Sequence, residues 1–392
     1  MNADKPIYLD YAANAPVTAG VMAAMTPYMQ GPGNPHTKHH FYGAQCARAL
    51  DKARAQVAAS IGAHIDAKAE QIIFTSGATE ANNLAFKGLA AHLKAAGKTH
   101  IVTSAVEHKS ILAPLQWIAQ NGMRVSIIPP KPCGMIEADM VLKALEPDTG
   151  LVSIQAVNNE LGTVQPLQEI AQVLAGKDIL FHSDAVQALG KVDVDVTSMG
   201  THLMSLSAHK IGGPQGVGAL YCADMNILEP LLHGGGQESG MRSGTASTAL
   251  CVGFGQACEE LKNNNDEIQA MRDAFVQKIM PLKPVIYGHS DPEWNVPGIL
   301  NVRFPGIDNE TLVMALPGLA FGVGSACASG GHDEVSHVIN AVDSEEAARE
   351  AIRLSWGGLT AMVDLQNAAD QIIAARTEIY EQRGREMALA AT

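Results

Sequence analysis

The chain has 392 residues, 47% of them hydrophobic, enough for a large core and, by length, for roughly two or three domains. Its formal charge of −13 argues against direct nucleic-acid binding over a large footprint, because gripping a phosphate backbone takes clustered lysine and arginine. No apolar run approaches the roughly 20 residues of a membrane span, the start Met1-Asn2-Ala3-Asp4-Lys5 has no signal-peptide core, and six cysteines without a CxxC pair suit a reducing cytoplasm and offer no evident metal site.

In chain order, short apolar strands alternate with helical stretches rich in alanine and leucine, which predicts a mostly parallel sheet covered on both faces. Ile72-Ile73-Phe74-Thr75 reads as a strand that breaks through Ser76-Gly77 into a helix beginning near Thr79. Further strands are predicted at 100–103, 124–128 and 151–154, then at 178–181 and 203–207. The run Asn263-Asn264-Asn265-Asp266 marks a compositional break within or beside a helix that joins a large domain to a smaller C-terminal one. The tail around Thr377–Arg385 ends a polar helix, and no internal repeat is found.

Three of these segments carry chemistry. Lys210 lies on a glycine-rich loop, Ser207-Ala208-His209-Lys210-Ile211-Gly212-Gly213-Pro214, after a strand. Asp184 sits where the buried strand at 178–181 would end, the place at which open α/β sheets present ligands. The helix start at Ala78 and Thr79 offers backbone N–H groups and a hydroxyl to a phosphate, with Ser207 and His209 completing the cup. An amine for an aldehyde, a carboxylate for a ring nitrogen and a phosphate anchor are what a pyridoxal phosphate enzyme needs. Singly, each has a commoner use: Asp184 as a helix cap, Lys210 as a surface lysine, Thr79 as an ordinary first-turn residue.

The chain resembles the cysteine desulfurases, class V, fold-type I pyridoxal phosphate-dependent enzymes, over almost its whole length. The matching pieces run in family order: Tyr8-Leu9-Asp10-Tyr11-Ala12-Ala13, Gly33-Asn34-Pro35, Thr75 to Glu80, Glu107-His108-Lys109 and Val157-Asn158-Asn159-Glu160-Leu161-Gly162. They continue through Asp184 and Gln187, the lysine segment, His233 to Glu238, and Met241-Arg242-Ser243-Gly244-Thr245. The resemblance implies an α/β transferase with a large cofactor-binding domain, residues 15–260, and a small α/β domain formed by residues 1–14 and 261–392. It implies that His108 stacks on the pyridine ring, Asp184 pairs with its nitrogen, Gln187 bonds the phenolic oxygen and Asn158 touches cofactor or substrate. Ala78, Thr79, Ser207 and His209 would bind the phosphate, and Thr245 would reach it from the other subunit of a homodimer with shared sites. Lys210 would be tether and acid/base, and Arg353, with Asn158 and Asn14 nearby, would hold the carboxylate of L-cysteine.

Cys327, in Gly324-Ser325-Ala326-Cys327-Ala328-Ser329-Gly330-Gly331, matches the nucleophile that takes the substrate sulfur as a persulfide and passes it to an acceptor protein. Cys222, Cys251 and Cys258 have apolar or helix-like surroundings and read as small buried hydrophobes. Some positions depart from the family pattern. Ala13-Asn14-Ala15-Pro16 lacks hydroxyls that many members carry, His332 and His337 flank the Cys327 loop, and Ser355-Trp356-Gly357-Gly358-Leu359-Thr360 lacks an arginine common there. The expected C-terminal tail of housekeeping iron–sulfur desulfurases is also missing, which leaves iron–sulfur assembly, tRNA thiolation and DNA sulfur modification all open as pathways. Two alternatives remain: a selenocysteine lyase or direct C–S lyase of the same fold, and a non-catalytic cofactor-binding subunit of a sulfur-transfer complex.

Overall fold

The computed structural model describes residues 5–63, 71–324 and 335–390, with side chains through residue 382; Cys327 and His332 lie outside the described residues. The elements run β1 (Ile7–Leu9), α1 (Ala19–Gln30), α2 (Phe41–Ala59), β2 (Ile72–Thr75), α3 (Ala78–Ala95), β3 (His100–Ser104), α4 (Lys109–Gln120), β4 (Arg124–Ile128), α5 (Ala138–Ala144), β5 (Thr149–Ser153), α6 (Leu167–Leu174), β6 (Leu180–Asp184), β7 (Leu203–Ser207) and β8 (Gly218–Cys222). They continue with α7 (Thr248–Glu259), α8 (Asn265–Ile279), β9 (Val285–Tyr287), β10 (Ile299–Arg303), α9 (Asn309–Ala315), β11 (Leu319–Val323), α10 (His337–Val342), α11 (Glu345–Glu350), β12 (Ala351–Ser355) and α12 (Met362–Ala390).

Strands β3, β5, β7 and β8 are buried at every position, so their sequences show no polar alternation. The alternation is instead between two hydrophobic layers. Ile73, Ile101, Leu151, Leu203 and Leu220 pack with α3 and α4 residues such as Leu84, Leu89 and Leu115. Their neighbours Phe74, Val102, Val152, Met204 and Ala219 pack on the other face with Val57 of α2, Ile170 of α6 and Phe254 of α7. This period of two is what places helices on both sides of one sheet.

The resulting seven-stranded sheet has the order β2-β8-β7-β6-β5-β3-β4. Strands β4, β3, β5, β6 and β7 are parallel, as expected, while β8 pairs antiparallel with both β7 and β2. A smaller five-stranded sheet, β1-β11-β12-β10-β9, holds its own core with α8 and α12, including Leu9, Phe275, Leu300, Leu354 and Ile372. The Asn263–Asp266 run spans the break between α7 and α8 and enters the first turn of α8, where Asp266 and Glu267 suit the helix N-terminus.

Because five strands point the same way, the segments after β3, β5, β6 and β7 open on one edge. That edge brings together Glu107-His108, Gln155–Asn159, Asp184–Gln187 and His209-Lys210, the positions at which open sheets bind ligands. Beneath it, the fully buried Phe86 of α3 meets the His182 ring edge-on, with centroids 5.1 Å apart. Phe86→Ala should destabilise the protein by about 3–5 kcal/mol through the cavity it leaves. Chemical denaturation will show this as a lowered midpoint with an unchanged slope; a loss below about 1 kcal/mol would mean that the sheet is not supported there.

Candidate active site

A cavity of ≈ 450 Å³ lies at this edge, lined by Ala12, Ala13, Ser76, Gly77, Ala78, Thr79, His108, Asp184, Gln187, Ser207, His209, Lys210 and Arg353, among others. One wall is the start of α3. Gly77 adopts φ 157° and ψ 174°, a region open essentially to glycine alone, and no side chain caps the helix after it. On β8, Gly218 passes so close that a Cβ there would lie 2.6 Å from the Gly77 carbonyl carbon. The uncapped helix start therefore lines the cavity, and its first-turn N–H groups have the polarity that suits an anion. Glu80 buttresses this turn by accepting from Ser76 N at 2.8 Å and from Arg242 Nε at 2.8 Å.

Asp184 ends β6 and is only 7% exposed. Its Oδ2 accepts from Asn82 Nδ2 at 2.9 Å and its Oδ1 from Val186 N at 3.0 Å, so the carboxylate is held rigidly. Asn82 also donates to Ser110 Oγ at 2.8 Å, and Ser110 Oγ lies 2.7 Å from His108 Nδ1. A single hydrogen-bonded chain thus fixes both the carboxylate and the histidine. His108 caps α4, and burial holds its pKa below the ordinary histidine value, which favours the neutral ring. His209 pairs its Nδ1 with Ser207 Oγ at 2.8 Å, and burial lowers its pKa to about 4.

Lys210 follows β7 in a short helical turn, and its Nζ donates to Ala12 O and Ala13 O, each at 2.7 Å. The N-terminal segment is itself tied down: Ala12 N donates to Ser355 Oγ at 2.9 Å and Ala15 N to His209 O at 2.8 Å. Arg353 enters from β12 of the smaller sheet. Its Nη2 donates to Asp10 Oδ1 at 2.8 Å and its Nη1 to Asn159 O at 3.1 Å, while its buried Nε has no hydrogen-bond acceptor among the described residues. The guanidinium lines the cavity, where its charge and planar donors suit a carboxylate.

The family described as aminotransferase class-V matches residues 7–367. Over 377 residues the chain is 41% identical to a cysteine desulfurase of Mus musculus, covering 94% of this chain and 81% of that protein. The chain belongs to the cysteine desulfurase family. Among solved structures, this desulfurase-family chain is similar to a NifS-like protein, with a TM-score of 0.86 and 30% identity over 96% of this chain and 100% of that one. It is also similar to SspA in complex with cysteine, with a TM-score of 0.77 and 36% identity over 89% and 98% of the two chains.

Not every residue expected at the site of this family member lines the cavity. Asn158 is fully buried, and its carboxamide is used internally, donating to Val106 O and accepting from Glu160 N and Leu161 N; Val157 and Asn159 line the wall instead. Asn14 stands one contact away, accepting from the cavity residue Gln215 at 3.1 Å. Within one chain Thr245 lines a separate recess of ≈ 160 Å³ with Thr75 and Ser76. Asp10 and Asn82 had no role assigned from sequence, because each acts through a partner far along the chain, Arg353 and Asp184. Burial pushes the thiols of Cys222, Cys251 and Cys258 up to about 12, so these cysteines carry no thiolate near neutral pH.

Glu107, immediately behind His108, is fully buried, and its Oε1 accepts from Ser104 Oγ at 2.7 Å and Gln155 N at 3.0 Å. Its Oε2 lacks a partner among the described residues, and burial raises its pKa from 4.5 to about 8. The native state therefore keeps a proton that the unfolded chain releases above pH 4.5, so stability falls as pH rises from 4.5 to 8. Glu107→Gln removes that dependence. Its stability relative to the native apoprotein should improve by roughly 3 kcal/mol between pH 5 and pH 8 in urea denaturation. Parallel pH profiles for the two proteins would contradict a protonated Glu107.

Proposed function

We propose that this chain is a pyridoxal phosphate-dependent cysteine desulfurase that converts L-cysteine to L-alanine and takes the sulfur on Cys327. The observation that carries this is the convergence of Lys210, Asp184, His108, the uncapped start of α3 and Arg353 on one cavity. The donor set fits the cofactor: Asp184 for the ring nitrogen, the Ala78–Thr79 turn with Ser207 and His209 for the phosphate, His108 for the ring face and Gln187 for the phenolic oxygen. When bound, pyridoxal phosphate supplies an electron sink that acidifies the α-proton of an attached amino acid and weakens its Cβ–S bond.

The protein's own groups then divide the work. Arg353 orients the substrate carboxylate through its guanidinium edge, and Lys210 moves the α-proton. His108, its Nδ1 engaged by Ser110, exchanges the thiol proton through Nε2. The Cys327 thiolate attacks the substrate sulfur; the Cβ–S bond breaks, a sulfur–sulfur bond forms, and protons complete the released alanine. Carbon is reduced and sulfur oxidised within the same step, so no outside oxidant enters. Delivery from the persulfide to an acceptor protein, and the sharing of sites in a homodimer through Thr245, complete the reading.

Cys327→Ser separates this from a direct lyase. Alanine formation from L-cysteine, measured with a reductant present, should fall by at least about 100-fold while the yellow cofactor colour stays. Undiminished turnover in the variant would establish a lyase that does not use the thiol, and a coloured native protein that makes no alanine would establish a binding subunit.

A further inference from the structure

Resting on the cofactor reading above, we propose that Lys191 is a positioning residue that fixes which end of the Gln187 carboxamide faces the cofactor's phenolic oxygen. The oxygen and nitrogen of a carboxamide are nearly interchangeable in shape, so only its partners set the orientation. Here the partners are unambiguous. Lys191 Nζ, a donor to it when protonated, is 3.1 Å from Gln187 Oε1, and Ala12 O, which only accepts, is 2.8 Å from Gln187 Nε2. Both bonds point the amide the same way. The second Nε2 hydrogen is left for the cavity, where Gln187 lines the wall beside Asp184 and Lys210.

Lys191 is placed for this by its surroundings. Clefts of ≈ 500 and ≈ 430 Å³ meet at Lys191 on the far side of Gln187, and Lys210 lines the second of them as well as the main cavity. Asn265 Nδ2 holds the Lys191 carbonyl at 2.8 Å, tying the backbone to the start of α8. The ionisable neighbours in these clefts, besides Lys210, are Tyr11, Asp193, Glu260, Lys262, Asp266 and Glu293. Glu260 is engaged by Thr18 Oγ1 at 2.5 Å and Gln256 Nε2 at 3.0 Å. Desolvation lowers the Lys191 pKa to about 7, and the Lys210 charge acts in the same direction. Gln187 Oε1, 3.1 Å away, is the acceptor on the cavity side of the Lys191 ammonium.

A donor aimed at the phenolic oxygen withdraws charge from it and eases loss of the proton shared between that oxygen and the lysine-bound cofactor nitrogen. Without Lys191 the amide is held only at its Nε2 end by Ala12 O, its oxygen loses the donor that polarises and steadies it, and the remaining Nε2 hydrogen is a weaker and less fixed partner for the phenolic oxygen, so that proton would be held more tightly. The test is the pH midpoint of the holoenzyme's visible absorbance change, read in native protein, Lys191→Met, Lys191→Arg, Gln187→Ala and the Gln187→Ala/Lys191→Met double variant. Lys191→Met should raise the midpoint by about one pH unit, Lys191→Arg should restore most of it, and Lys191→Met should add nothing in the Gln187→Ala background. An unmoved midpoint in Lys191→Met, or an equal shift in both backgrounds, would overturn the proposal while leaving the cofactor reading intact. A native protein with no visible band that depends on Lys210 would instead sink the cofactor reading, and this inference with it.

Discussion

A buried carboxylate must be surrounded by donors, and the site depends on how this chain meets that requirement at Asp184. Asn82 reaches it from α3 and Val186 N from the next turn, and the same Asn82 side chain continues through Ser110 to His108. The floor of the cavity is therefore one connected network rather than a set of separate side chains. Its members come from α3, the start of α4 and the end of β6, so the parallel sheet that aligns those elements is also what aligns the chemistry. Preorganisation of this kind lets a site act on charge as it develops without reorganising first.

The two sheets contribute differently. The larger supplies the carboxylate, the histidine, the lysine and the uncapped start of α3, while the smaller supplies Arg353 from the middle of β12. The N-terminal segment joins them: β1 pairs with β11, Asp10 holds Arg353, and Ala12 and Ala13 accept from Lys210. Asp10 restrains the guanidinium through Nη2, and the Asn159 carbonyl does so through Nη1. Lys191 extends the same logic behind the cavity, where its Nζ donates to an amide that faces the site.

Much of this was legible in the sequence where one short segment carries the whole signal. The strand ending at Asp184, the Ser-Gly break before α3 and the glycine-rich stretch after Lys210 each combine a strand with the residue it delivers. The parallel core was readable from apolar runs, but the antiparallel direction of β8 was not, since burial on both faces erases periodicity and leaves direction unmarked. The roles expected for His108, Gln187 and Arg353 came from family resemblance and not from pattern. Asn82 and Asp10 were missed because their partners, Asp184 and Arg353, are far away in sequence and meet them only after folding. The Asn158 carboxamide oxygen serves its own turn, while its nitrogen reaches Val106 O, a contact that sequence does not show.

The central claim, that the strand-end cavity holds pyridoxal phosphate on Lys210, is tested most directly by borohydride reduction of the holoprotein followed by peptide mass spectrometry. Reduction makes the lysine–cofactor link permanent, and the account predicts the added pyridoxyl phosphate mass on the peptide containing Lys210, with none on Lys191. Labelling of a different lysine, or no labelled peptide from a protein that carries the cofactor, would contradict it.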